Sequence, residues 1–248
     1  MTVTHDDLTL DWFGYATLRV EGPDGTVVYF DPGRYGCLTG EWTPDTEGVG
    51  HPPATDYDAR DGDVVCVTHD HHYDADGIRR VADEDATLVV YDAVDAAGTG
   101  RGPAPEDLDY EVVRVDDAAD LAVGNAVVRT VAAHNLPDGP RAGDDGSVPH
   151  PEGFGCGFLV TLGERTVFWP GDTDVLDGHA ELGVDVFCPP IGGSFTMDRH
   201  EAADLAAELR PELVVPIHYN TFAALEADGR GFAGDVASAG VPVALDER

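Results

Sequence analysis

No lysine occurs in the chain. All 14 basic residues are arginine, set against 48 acidic residues, and the formal net charge is −34. A chain so charged repels itself in dilute buffer. In molar salt the Debye length shrinks to ~3 Å and that repulsion is largely screened. The shortage of positive charge also argues against a nucleic-acid partner, because a phosphate backbone is held by a basic stripe.

Other absences narrow the class further. There is no apolar run of the ~18 residues needed to span a bilayer, and no basic-then-apolar leader, so neither a membrane protein nor an exported one is expected. The four cysteines, Cys37, Cys66, Cys156 and Cys188, are far apart and form no CxxC pair. Cys66 and Cys188 lie in apolar runs, and all four are read as buried, reduced thiols. The charge balance resembles that of cytoplasmic proteins of extreme halophiles. No internal repeat stands out. The 248 residues, 42% of them hydrophobic, are enough for one large core. One mixed α/β domain over residues 1–248 is expected, with no linker.

Strands are expected at Leu8–Phe13, Ala16–Glu21 and Thr26–Phe30, followed by a long Gly-, Pro- and Asp-rich loop from Asp31 to Asp63. Asp63–Thr68 is a nearly continuous apolar run, the pattern of a fully buried strand. A short helix over Asp76–Asp83, with Asp76 as its cap, and strands at Thr87–Tyr91, Glu111–Val115 and Ala126–Ala132 come next. A second long loop, His134–Gly155, precedes strands at Cys156–Thr161, Thr166–Trp169 and Val184–Cys188. Asp198 caps an amphipathic helix over Arg199–Arg210, which Pro211 stops. A strand at Leu213–Pro216, a helix over Tyr219–Ala227 and a last strand at Val241–Leu245 complete the reading.

The chemistry concentrates at strand ends. After the buried run comes Thr68-His-Asp-His-His-Tyr-Asp-Ala-Asp-Gly77, with three of the chain's 10 histidines within four positions. Two imidazoles two residues apart at a rigid strand end can converge on one cation, and neutral imidazole is a favoured zinc ligand. His134 follows the strand Ala126–Ala132. Asp172 stands in a Gly turn after Phe168-Trp-Pro, and His218 follows Val214-Val-Pro-Ile. Each alone reads more readily as a structural residue than as a ligand. Together, four strand-end sites offering His and Asp point to a metal centre.

The order His-x-His, an isolated His, Gly-Asp-Thr and a final His resembles the ligand order of the metallo-β-lactamase superfamily. Pro190-Ile-Gly-Gly-Ser-Phe-Thr-Met-Asp198 and Pro216-Ile-His-Tyr-Asn-Thr-Phe222 narrow the likeness to a largely uncharacterised metal-dependent hydrolase family. That family is similar to ascorbate-6-phosphate lactonases and to the phospholipase that releases N-acylethanolamines. Its N-terminal pattern stands here as Trp12-Phe-Gly-Tyr-Ala16 and Asp31-Pro32. The resemblance implies a four-layer αββα sandwich with metals at one edge. It implies a first metal on His69, His71 and His134, with Asp172 bridging to a second metal on His218. Two positions depart from the family's pattern. Tyr15 replaces a His, and the usual His-x-His-x-Asp-His motif is altered so that Asp74 is the motif residue left for the second metal. His72 or Asp76 is a possible substitute.

The expected activity is hydrolysis of an ester, lactone or phosphoester by a metal-activated water. Asp172 or Asp74 would orient the nucleophile, and Tyr219 and Asn220 would donate to the developing oxyanion. The expected cofactor is zinc, one ion or two, with manganese or magnesium possible at a second site that has Asp in place of His. The partner is a small-molecule substrate. Three rivals stand beside this reading. The altered motif motivates a catalytically weak metal-binding member of the fold. A nuclease lacks its basic patch. A diiron oxidoreductase would find a carboxylate, Asp70, between His69 and His71, but no flavin domain follows.

Overall fold

The computed structural model describes residues 2–43, 45, 52 and 54–246. Part of the first long loop (residues 44, 46–51 and 53) lies outside them. The described chain forms two sheets. The first runs β1 (Thr2–His5), β2 (Leu8–Gly14), β3 (Thr17–Glu21), β4 (Val27–Phe30), β5 (Gly62–Val67), β6 (Ala82–Tyr91) and β7 (Glu111–Val115), side by side in chain order. The second contains β8 (Asp120–Val123), β9 (Ala126–Ala133), β10 (Gly155–Leu162), β11 (Arg165–Trp169), β12 (Val186–Phe187) and β13 (Leu213–Val214), again in spatial sequence.

Both sheets have the same internal plan. Antiparallel hairpins make one half, β1 to β4 and β8 to β11. Parallel strands make the other, β4 to β7 and β11 to β13. Parallel neighbours need a crossover, and two of these carry helices: α1 (Ala75–Val81) between β5 and β6, and α2 (Arg199–Leu209) between β12 and β13. The inner faces of the sheets meet without a helix between them. Phe30 of β4 stacks on Trp169 of β11 at 5.2 Å. The helices therefore lie on the outer faces, which gives the four-layer αββα sandwich.

Residue patterning explains the layers. β2 alternates buried and half-buried residues, one face on the core and one toward the outside. In β4 every residue is buried, and in β5 all but Asp63 are, as parallel strands covered on both faces require. α2 has a full capping box. Asp198 accepts from the Glu201 amide, and Glu201 reaches back to the Asp198 amide.

Some elements differ from expectation. The helix cap before α1 is Asp74, not Asp76; its carboxylate accepts from the amides of Asp76 and Gly77. Asp76 pairs instead with Arg80, one turn on. No α-helix forms over Tyr219–Ala227, where only a 3-10 turn stands at Ala223–Leu225. His218 and Asn220 have φ of 55° and 53°, in the left-handed region, and that breaks any helix there. The last strand is reduced to a single bridge between Val214 and Val243. A helix not expected from sequence, α3 (Gly229–Ser238), forms despite three glycines because Phe232 and Val236 bury against the core.

Candidate metal centre

The parallel halves of the sheets end at a common edge, and loops leaving the carboxyl ends of their strands meet there. β4 ends at Phe30 and delivers Asp31. β5 ends at Val67 and delivers Thr68 and His69. β11 delivers Asp172, and β13 delivers His218. Close approach makes this meeting possible. A Cβ at Gly155 would lie 2.7 Å from that of His69, and one at Gly171, where φ is +69°, would lie 2.6 Å from the Cys156 carbonyl oxygen. Any larger side chain at either position would push the loops apart.

Asp172 is the hub, nearly buried, with imidazoles facing both of its oxygens. Oδ2 lies 3.7 Å from His69 Nε2 and 3.4 Å from His150 Nε2. Oδ1 lies 3.5 Å from His72 Nε2 and 3.4 Å from His218 Nε2. His71 Nδ1 closes the first group at 3.1 Å from His150 Nε2. Two sets of ligand atoms thus gather within 4.8 Å of one another: His69, His71 and His150, and His69, His72 and Asp172.

Surrounding acceptors set the tautomers. Asp31, fully buried, receives the Thr68 amide, the Thr68 hydroxyl, the Trp169 indole N–H and His72 Nδ1 at 2.8–2.9 Å. The proton of His72 therefore sits on Nδ1, and its Nε2 lone pair faces Asp172. Because the Thr68 hydroxyl donates to Asp31, it accepts from His69 Nδ1 at 2.8 Å, and the lone pair of His69 also faces inward. His150 Nδ1 donates to the Phe195 carbonyl at 3.2 Å, with the same result.

Nε2 of His69, Nε2 of His72 and both ring nitrogens of His218 are buried with no hydrogen-bond partner. Three imidazole lone pairs left without a proton donor around one carboxylate are costly unless a cation completes them. The donor set, five imidazoles and one carboxylate, suits a borderline divalent metal. Burial pushes His69 well below the usual imidazole range and lowers His71 and His218 to about 4, so these rings stay neutral and ligand-ready near pH 7. His72 moves the other way. Burial lowers it, but Asp172 and Asp31 outweigh burial. Burial would raise Asp172, yet the surrounding His218, His72, His150 and His69 hold it below the ordinary carboxylate range.

Of the residues singled out in the sequence, His69, His71, Asp172 and His218 come together, and His72 joins them. The others do not. His134 follows β9 with Nδ1 against the Asn135 carbonyl at 3.2 Å, and it belongs to neither ligand group. Its place is taken by His150, from the same loop. Asn135 makes the exchange: its amide donates to the His150 carbonyl at 2.7 Å, its side-chain oxygen accepts the His150 amide, and its NH2 donates to Asp174 and Phe195. Asp74 is turned away from the centre by its role as helix cap and by accepting the Arg34 amide at 2.8 Å. The Tyr219 ring stacks on Trp12 at 5.1 Å inside the core. The Asn220 side chain accepts the Ala227 amide. Asp70 accepts the Asp95 amide, and it too is absent from both ligand groups.

A cleft of about 290 Å3 opens over the centre, with His71, His150 and Asp172 on its floor and Tyr15 in its wall. Tyr15 packs against His218 at 4.6 Å and edge-on to His72 at 5.0 Å. Among the described residues no side chain takes a hydrogen bond from its phenol. Burial, with Asp172 adding to it, raises the phenol well above its ordinary value, so it remains a proton donor.

Comparison with known proteins gives the family and the fold. A beta-lactamase superfamily domain matches residues 9–218. A UPF0173 metal-dependent hydrolase of Pyrococcus abyssi is 31% identical over 230 residues, covering 89% of this chain and 88% of the relative. A second, of Anaeromyxobacter dehalogenans, is 31% identical over 225 residues, covering 86% and 75%. Among solved structures, Igni18, a metallo hydrolase from the hyperthermophilic archaeon Ignicoccus hospitalis, superposes with a TM-score of 0.65. It is 24% identical and covers 97% of this chain and 95% of its own.

Proposed function

The chain belongs to the beta-lactamase superfamily and, within it, to the UPF0173 metal-dependent hydrolases, and from that premise we propose that it is a two-metal hydrolase of an ester, lactone or phosphoester. The observation that carries this is the arrangement about Asp172, whose two oxygens are each faced by imidazoles with inward lone pairs. The first seat is His69, His71 and His150; the second is His72 and His218; Asp172 stands between them. Bound divalent metal supplies Lewis-acid chemistry, acidifying water near neutral pH and polarising the bond to be broken.

The protein's own groups do the rest. Asp31 fixes the His72 ring, and Thr68 fixes His69. Asp172 holds and orients the attacking water. Tyr15, in the cleft wall, donates its phenolic proton to the oxygen on which charge develops, the role first expected of Tyr219 and Asn220. His72 in the second seat supports an active hydrolase over a catalytically weak protein, and zinc over a harder cation. Zinc in both seats suits the donor set.

Two broader readings belong here. No helix among the described residues is long and apolar enough to cross a membrane, which fits a small-molecule substrate met in solution. The net charge of −34 fits a halophilic, cytoplasmic setting and one domain that folds in molar salt. Melting temperature should rise by ten degrees or more between about 0.1 M and 2 M KCl, where screening lengths differ several-fold; equal values would contradict the halophilic reading. The functional test is metal analysis of protein purified in high salt, followed by ester, lactone and phosphodiester assays with and without chelator. Two metals per chain and chelator-sensitive turnover are expected. Metal-free protein with no chelator-sensitive turnover would contradict the proposal.

A further inference from the structure

Most described arginines are paired: Arg19, Arg80, Arg114, Arg141 and Arg165, for example, all have carboxylates within 4 Å. In a chain with 48 acids to 14 bases this is expected. Arg101 is an exception, and it stands in the wall of the cleft over Asp172. Among the described residues no carboxylate lies within 4 Å of its guanidinium. Its one side-chain hydrogen bond runs from Nη1 to the His71 carbonyl at 3.4 Å, near the limit of a useful contact. Its Nε–H is buried with no acceptor. Arg34 differs, for its Nε donates to that same carbonyl at 3.0 Å and its guanidinium stacks on Tyr35 at 5.0 Å.

A buried guanidinium N–H without an acceptor is costly, and the fork of an arginine matches two oxygens of one anion. The rest of the cleft wall is apolar or aromatic: Tyr35, Phe195, Phe222 and Pro149. We propose that Arg101 is a specificity residue of the hydrolase. The substrate carries an anionic oxygen group, carboxylate or phosphate, that Arg101 binds while the scissile bond lies over Asp172. The apolar body between them packs on Phe195 and Phe222. This rests on the hydrolase reading above and adds the class of substrate. It also accounts for a basic group left unpaired in so acidic a chain, since a nearby carboxylate of the protein's own would compete with the substrate.

The test uses the metal-loaded full chain in 2 M KCl and two 4-nitrophenyl esters of glutaric acid of near-equal size. One keeps the free carboxylate at its far end, and the other has it as a methyl ester. Wild type should favour the anionic ester in kcat/KM by tenfold or more, chiefly through KM. In Arg101→Met that preference should fall at least tenfold, and Arg101→Lys should restore part of it. A merely structural clamp on the His71 carbonyl would lower both esters together and leave their ratio unchanged. That result, or a wild-type preference for the neutral ester, would overturn the proposal. If neither ester is turned over in a chelator-sensitive way, the hydrolase reading is what has failed. The anion site is then read by calorimetric binding of glutarate to the same metal-loaded proteins. At least tenfold weaker binding by Arg101→Met supports it, and equal binding overturns it. Glutarate and inorganic phosphate titrated side by side distinguish a carboxylate from a phosphate site.

Discussion

The two sides of Asp172 are built differently. On the Oδ1 side, His72 and His218 are both about 1% exposed. His72 is tied to Asp31, which is itself held by three further donors, and His218 is kept in a left-handed backbone conformation with its amide on the Tyr15 carbonyl. On the Oδ2 side, His71 is half-buried and borders the cleft, and His150 arrives on a long loop, held by Asn135 and the Phe195 carbonyl. On the proposed two-metal reading, the Oδ1 side would serve as the rigid anchor, and the Oδ2 side, which borders the cleft through His71 and His150, would be where substrate gains access.

Asp172→Asn should break both sides at once, because it removes the charge they share. We expect loss of both metals on dialysis and a fall in kcat/KM of about a thousandfold or more, measured by metal analysis and hydrolysis on the same samples. Retention of two metals would mean that Asp172 is not the bridge. The next effect separates the two histidines of the second loop. His150→Ala should lose the Oδ2-side metal and about a hundredfold or more in activity, whereas His134→Ala should keep both metals and most activity. The opposite pattern would return His134 to the site.

Asp31→Asn sharpens the contrast. It keeps the shape of the side chain but weakens its hold on His72, so affinity at the Oδ1 side should drop about 10- to 100-fold while the Oδ2 side changes little. Competitive chelator titration measures both steps, with circular dichroism to verify folding. Equal loss at both sides would indicate a general loosening instead. The smallest effect belongs to Asp74. As a helix cap it should contribute about 1 kcal/mol of stability and nothing to metal binding. Asp74→Ala should therefore lower the urea midpoint with both metals retained, and loss of a metal would restore it as a ligand.

What was legible in the sequence follows the same division. His69, His71, Asp172 and His218 could be read because each leaves a buried, strongly patterned strand, and a strand end fixes direction. The apolar runs at β4, β5 and β11 made a mixed α/β domain legible, whereas the αββα layering came from the family resemblance. His72 could be named only as a substitute, since its role depends on Asp31, 41 residues earlier. His134 and His150 stand in one loop, and periodicity does not distinguish them. The choice is made by Asn135 and Asp174, a tertiary contact across 39 residues. The only sequence signal for His150 was its position in a loop too long for a simple connection. Asp74 matched the motif, but the tight turn from His69 to Tyr73 carries it past the site and onto the helix amides. Tyr219 stacks on Trp12 and Asn220 accepts the Ala227 amide, in a turn with positive φ at His218 and Asn220 that is invisible in a run of ordinary residues.

The most direct test of the two-sided centre is a crystal structure of zinc-loaded protein, with anomalous data collected on both sides of the zinc edge. Two peaks are expected, one among His69, His71 and His150 and one between His72 and His218, with a different oxygen of Asp172 toward each. A single peak, or a peak coordinated by His134 with His150 turned away, would contradict the account.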